Sequence, residues 1–148
     1  KMHPYLSERP TCSAKYKDRL IDLTSKYDVN DLLFVSDLLI TDYSSVIFEA
    51  SLLNIPMMFY AFDLYDYIAS RDFYYDFEGF VPGKIVFSEN ELINAIVLNT
   101  DEMTDSINNE DYNQEFVKPF RQRYFGTKTG EATKNVVEFT KELLDNNV

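Results

Sequence analysis

One stretch of this chain brings hydroxyls, carboxylates and a helix start together: Ser36-Asp37-Leu38-Leu39-Ile40-Thr41-Asp42-Tyr43-Ser44-Ser45-Val46-Ile47-Phe48-Glu49-Ala50. An apolar run ends in Thr41 and Asp42 and turns at once toward a helix. Ligands of open α/β sheets sit at such carboxyl ends of strands. Ser44 or Ser45 at the helix start offers a side-chain hydroxyl beside backbone N–H groups that have no partner within the helix. A phosphate or pyrophosphate needs this arrangement in a protein without a glycine loop. Glu49 follows Ser45 by one helical turn, on the same face, where its carboxylate can accept hydrogen bonds from a ribose diol. The same residue types also serve as plain helix caps, and spacing alone leaves both readings open.

The elements that must hold this turn follow an alternation of short apolar runs and helices. The runs are Leu20 to Leu23, the helical Val29 to Val35, Leu38 to Thr41, the helical Ser45 to Leu53, and Met57 to Phe62. That order predicts βαβ units and a parallel sheet. Leu38-Leu39-Ile40 is apolar without alternation, which predicts a central strand covered on both faces. Asp28 is placed to cap the helix that begins at Val29, with Asp31 in its first turn. Asn54-Ile55-Pro56 ends the next helix and launches a strand over Met57-Met58-Phe59-Tyr60.

The aromatic and aspartate-rich stretch from Asp63 to Val86, with Pro82-Gly83 inside it, reads as a long, partly irregular loop before a short strand at Lys84 to Phe87. Ser88 followed three residues later by Glu91 is a capping box for a helix through Leu98. Two further helices are expected, from Asn109 to Tyr124 and from Glu131 to Leu144, separated by Gly126 and Gly130.

The 148 residues, 45% of them apolar, suffice for one core, so a single domain or a piece of a larger protein is expected. A formal net charge of −11 repels nucleic acid and an anionic membrane surface, so neither is an expected partner. The single cysteine, Cys12, and single histidine, His3, leave no intramolecular disulfide and no Cys/His metal cluster. A reduced, cytosolic setting fits. No apolar run has the length of a membrane span and nothing resembles a signal peptide. The chain begins at Lys1 and runs directly into Met2-His3-Pro4, which suits the end of a strand whose beginning lies upstream, so the chain is expected to be cut from a longer protein.

The stretch from Ser36-Asp37 to Glu49-Ala50, then Asn54-Ile55-Pro56 through Tyr60, then Asp63-Leu64 with Tyr67, then Phe73-Tyr74-Tyr75-Asp76-Phe77 and Pro82-Gly83, is similar in order and spacing to the C-terminal domain of the CDP-glycerol glycerophosphotransferase family. The similarity spans roughly residues 19 to 98. The Thr-Asp-Tyr-Ser-Ser turn and the later Phe-Tyr-Tyr-Asp-Phe are specific in combination, whereas either half alone is weak.

The resemblance implies an α/β fold with a Rossmann-like parallel sheet and flanking helices, the C-terminal half of a GT-B glycosyltransferase-like architecture. Residues 1–148 then form a single donor-binding domain, and the N-terminal acceptor domain is absent from the sequence. By carry-over, Thr41, Ser44 and Ser45 contact the donor phosphates and Glu49 lies near the ribose. His3 resembles a family histidine that faces the donor pyrophosphate. It would act as general acid on the departing cytidylate or as a cation beside the transferred phosphoryl group. The plain alternative for His3 is a polar residue near a chain end. Arg71 stands where relatives show an Arg-Gly-Phe and can pair with a phosphate bidentately. Here Asp72 replaces the glycine and competes for it, which makes a surface ion pair the alternative. The aromatics of residues 73 to 77 are expected to pack in the core rather than to stack on a base.

The implied activity is transfer of glycerol phosphate or ribitol phosphate from a CDP-activated donor to a teichoic acid chain at the cytoplasmic face of the membrane. Membrane contact is expected only through regions outside this chain, and the chain alone is expected to be inactive. No cofactor and no metal is called for. Two other readings stay open: a nucleotide-binding module without turnover, and a GT-B glycosyltransferase using a nucleotide sugar.

Overall fold

The computed structural model describes residues 1–2, 11–71, 74–96, 112–126 and 130–145. After a 3₁₀ turn at Ala14–Tyr16 come α1 (Val29–Leu33), β1 (Leu39–Thr41), α2 (Ile47–Leu52), β2 (Met57–Tyr60), α3 (Leu64–Arg71), α4 (Phe77–Phe80) and β3 (Lys84–Val86). Helix α5 covers 89–96. A π-helical turn at Asn113–Val117 leads into α6 (Lys118–Phe125), and α7 (Ala132–Asp145) follows. The three strands form a parallel sheet in the order β1-β2-β3, with Thr41 beside Phe59 and Phe59 beside Ile85. Sheet, flanking helices and βαβ connection are those the sequence predicts.

Alternation along β2 divides the core. Met57 and Phe59 face a cluster with Leu33, Ile47, Ala50, Val117 and Phe120. Met58 faces the other side, where Val86 and Ala95 meet it with Leu92 and Ile96 of α5 against them. The strand buried on both faces is therefore β2, not β1. Among the described residues β1 lies at the sheet edge, and Ile40 is 42% exposed. Ile40 shares its face with Met58, and α5 shields Met58 and Val86 without covering the edge position.

Local signals give the element ends. The Asp28 carboxylate accepts the Asn30 N–H at 2.8 Å, as expected of a cap. Ser88 Oγ accepts the Glu91 N–H at 3.3 Å, while Glu91 Oε2 reaches back to the Phe87 N–H at 2.7 Å, one residue beyond the usual reciprocal partner. Helix α2 ends in a Schellman motif: the Ile55 N–H donates to the Ala50 carbonyl and the Asn54 N–H to the Ser51 carbonyl, with Asn54 at φ 56°. The buried Ile55 supplies the apolar contact that accompanies this motif. Pro119 has no N–H for the Glu115 carbonyl, and the helix widens to a π turn just ahead of it.

Two further segments differ from expectation. The stretch from Asp63 to Val86 contains α3 and α4 rather than an extended irregular loop. Leu64, Tyr67, Ile68 and Arg71 stand at helical spacing, a pattern masked in the sequence by the density of aromatics. Leu20 to Leu23 is not a strand, and Leu20 and Ile21 are 53% and 68% exposed. Asp22 Oδ1 accepts from both the N–H and the hydroxyl of Thr24, closing a local turn in place of a ladder. The expected helix start at Asn109 lies outside the described residues.

Candidate functional site

Strand β1 stops at Thr41, which is half-buried, and the next residues bend away from the sheet. Ser44 Oγ accepts the Val46 N–H at 3.3 Å and the Ser45 carbonyl accepts the Phe48 N–H at 3.1 Å, so α2 opens at Ile47, two residues later than its expected start. The Ser44 bond closes a local turn ahead of the helix, whose N-cap residue, Val46, supplies no side-chain cap. Accepting that bond leaves the Ser44 O–H proton available to an anion.

Both serines are exposed. They stand at a depression of about 150 Å³ with Asp42 and Tyr43 beside them and Phe59 and Phe77 at its back. Pockets that enclose a small molecule usually measure about 300–1,000 Å³, so this depression is smaller than a site that encloses a whole ligand. Asp42 is the only charged side chain among its lining residues. The lining itself supplies no cation, so positive charge facing it has to come from neighbouring elements.

Arg71, at the end of α3, is exposed and does not line the depression; its guanidinium lies 5.9 Å from the centre of the Tyr67 ring. Tyr67 in turn packs on Tyr43, with ring centroids 4.0 Å apart. Glu49 is exposed on α2 and is likewise not among the lining residues. His3 and Asp72 lie outside the described residues. Just before His3, the Met2 N–H donates to Thr24 Oγ1 at 2.9 Å, and Lys1 Nζ donates to the carbonyls of Thr24 and Tyr27.

The structure adds residues the sequence reading did not select. Tyr43 Oη donates to Asp63 Oδ1 at 2.7 Å. Burial raises the Tyr43 phenol pKa, and the hydrogen bond and charge of Asp63, then the charge of Asp42, raise it further, so the phenol stays a neutral donor. The readable signal was Asp63, Tyr67 and Arg71 at four-residue spacing, one face of a helix. Of the later aromatics, Phe77 is buried against Phe59 and Tyr43, Tyr75 stacks on Phe80 at 5.1 Å, and Tyr74 is fully exposed. Phe73 lies outside the described residues.

Among the described residues no group of three His, Cys, Asp or Glu side chains could hold a metal ion. No helix among them is long and apolar enough to cross a membrane.

Comparison with known proteins agrees with this architecture. The family described as CDP-Glycerol:Poly(glycerophosphate) glycerophosphotransferase matches residues 1–141. The teichoic acid ribitol-phosphate polymerase TarK of Staphylococcus aureus is 45% identical over 138 residues, 93% of this chain and 25% of its own length. The teichoic acid ribitol-phosphate primase of Bacillus spizizenii is 41% identical over 143 residues, 97% of this chain and 34% of its own. The teichoic acid glycerol-phosphate primase of Bacillus subtilis is 32% identical over 144 residues, with 97% and 34% covered. This chain thus spans between a quarter and a third of the length of these relatives. The wall teichoic acid polymerase TagF matches in three dimensions with a TM-score of 0.63 and 28% identity, over 90% of this chain and 31% of that one. A TagF variant with the same TM-score was soaked with CDPG. The fold is accordingly α/β, a parallel sheet flanked by helices like that of the GT-B-like transferase TagF, and the chain belongs to the CDP-glycerol:poly(glycerophosphate) glycerophosphotransferase family.

Proposed function

We propose that this chain is the donor-binding domain of a longer transferase that moves a polyol phosphate from a CDP-activated donor onto a teichoic acid chain. The observation that carries the reading is the exposed Ser44-Ser45 pair at the carboxyl end of β1, beside a depression, in a chain of this family. Thr41, Ser44 and Ser45 hold the donor phosphates, and Arg71 pairs with a phosphate oxygen while its stem stays beside the Tyr67 ring. Glu49 binds the ribose hydroxyls, and His3 assists departure of the cytidylate.

In the reaction an acceptor hydroxyl attacks the polyol-bearing phosphorus, a new phosphate ester forms, the pyrophosphate P–O bond breaks and CMP leaves. The acceptor proton goes to a base supplied by the upstream domain. The protein's contribution is positioning and neutralisation of phosphate charge. The whole protein works at the inner face of the membrane through regions outside this chain. Ribitol phosphate is the favoured polyol, because the ribitol-phosphate relatives share 39–45% of matched residues and the glycerol-phosphate relatives 32–36%.

Calorimetric titration with CDP-ribitol, CDP-glycerol, CMP and UDP-glucose tests the reading. Cytidine ligands binding, with CDP-ribitol the tightest and UDP-glucose absent, supports it. Preference for UDP-glucose points to a nucleotide-sugar transferase, and binding without transfer in the full-length protein points to a binding module.

A further inference from the structure

We propose that Tyr43, together with Asp63 and Tyr67, is a positioning set that holds the serine turn and Arg71 in one fixed relation, so that donor affinity depends on the hydrogen bond from the Tyr43 hydroxyl to Asp63. The proposal rests on the donor-site reading above. Tyr43 sits between Asp42 and Ser44, two positions past the point where Thr41 pairs with Phe59. Asp63 sits at the equivalent end of the neighbouring strand, three residues past Tyr60. Their hydrogen bond at 2.7 Å ties together the carboxyl ends of two adjacent parallel strands, the region where open sheets bind ligands.

From that joint a second connection runs along α3. The Tyr67 N–H donates to the Asp63 carbonyl at 2.9 Å, so Asp63, Tyr67 and Arg71 follow one another at single helical turns. The Tyr67 ring lies on Tyr43 at 4.0 Å, Phe77 closes the edge of Tyr43 at 5.3 Å, and Arg71 sits over the outer part of this stack at 5.9 Å from Tyr67. The turn that offers hydroxyls and the helix that offers a cation are thereby joined through buried or half-buried groups. Without the joint each would keep its own fold, but the spacing between Ser44-Ser45 and Arg71 would no longer be set, and site geometry this loose weakens binding.

The test uses the full-length protein and measures Kd for CDP-ribitol and CDP-glycerol, KM for acceptor, and Tm, in Tyr43→Phe, Asp63→Asn and Asp63→Leu. Tyr43→Phe keeps the ring contacts and removes the hydrogen bond; Asp63→Asn keeps an acceptor; Asp63→Leu removes it. The expected result is about a tenfold rise in donor Kd for Tyr43→Phe and Asp63→Leu, with acceptor KM unchanged and Asp63→Asn within about twofold of wild type. Donor Kd unchanged in Tyr43→Phe overturns the proposal. So does a parallel rise of donor Kd and acceptor KM that tracks lost Tm, since that is general destabilisation. If the wild-type protein itself binds neither CDP ligand, the donor-site reading fails and this proposal fails with it, a result distinct from normal wild-type binding with insensitive variants.

Discussion

The Tyr112 phenol donates to the Met57 carbonyl at 2.6 Å and accepts the Lys84 N–H at 3.1 Å, so one side chain bridges the first residues of β2 and β3. Gly83 lies in the same corner, where an added Cβ would stand 2.1 Å from the Met57 carbonyl oxygen. Pro82-Gly83 is therefore a close-packing device as much as a turn. Tyr112→Phe strips two backbone groups of their partner and is expected to cost about 1–3 kcal/mol in urea unfolding. Gly83→Ala forces the strands apart and is expected to cost at least as much, within the range of about 1–3 kcal/mol or more seen for overpacked cores.

Asn54 ends α2 in the left-handed region at φ 56°, and its Oδ1 accepts from Arg121 Nη1 of α6 at 2.6 Å. A β-branched residue at this φ is strained, so Asn54→Val is expected to lower stability by about 1–2 kcal/mol, while Asn54→Gly keeps the backbone and loses only the Arg121 contact. Arg121→Ala should match Asn54→Gly in thermal unfolding. A larger loss in Asn54→Gly than in Asn54→Val would contradict the backbone explanation.

Alkaline pH probes Tyr43 and Tyr112. Burial raises the Tyr112 phenol, as burial and Asp63 raise that of Tyr43. A phenol whose folded pKa exceeds its unfolded value contributes stability that is complete below the unfolded pKa of about 10 and is lost as pH rises toward the folded value. Stability is therefore expected to fall above about pH 10. Absorbance at the tyrosinate band should show a late component that shrinks in Tyr43→Phe and again in Tyr112→Phe.

Ser45→Ala removes an exposed hydroxyl from the turn. Donor Kd is expected to rise about tenfold, close to 1.4 kcal/mol, with little change in Tm. Ser44→Ala also releases the Val46 N–H, so it should weaken donor binding and in addition lower stability by about 1 kcal/mol. If Ser45→Ala binds donor like wild type, the turn is only a helix start.

What could be read from the sequence alone was what neighbours along the chain decide. Asp28 caps α1, Ser88 and Glu91 close the start of α5, Asn54-Ile55-Pro56 stops α2, and the serine turn follows an apolar strand. Each involves partners within a few residues, where side-chain chemistry and φ preference suffice. Helix α3 escaped because aromatic density obscured its four-residue period. The edge position of β1 among the described residues, the exposure of Leu20 and Ile21, and the pairing of Tyr43 with Asp63 or Tyr112 with Met57 depend on segments distant in sequence, 20 residues apart for Tyr43 and Asp63 and 55 for Tyr112 and Met57. An apolar strand looks the same whether one neighbour covers it or two. Only the packed sheet and its helices decide which faces are shielded and which distant groups meet, because burial and long-range hydrogen bonds are properties of the assembled core.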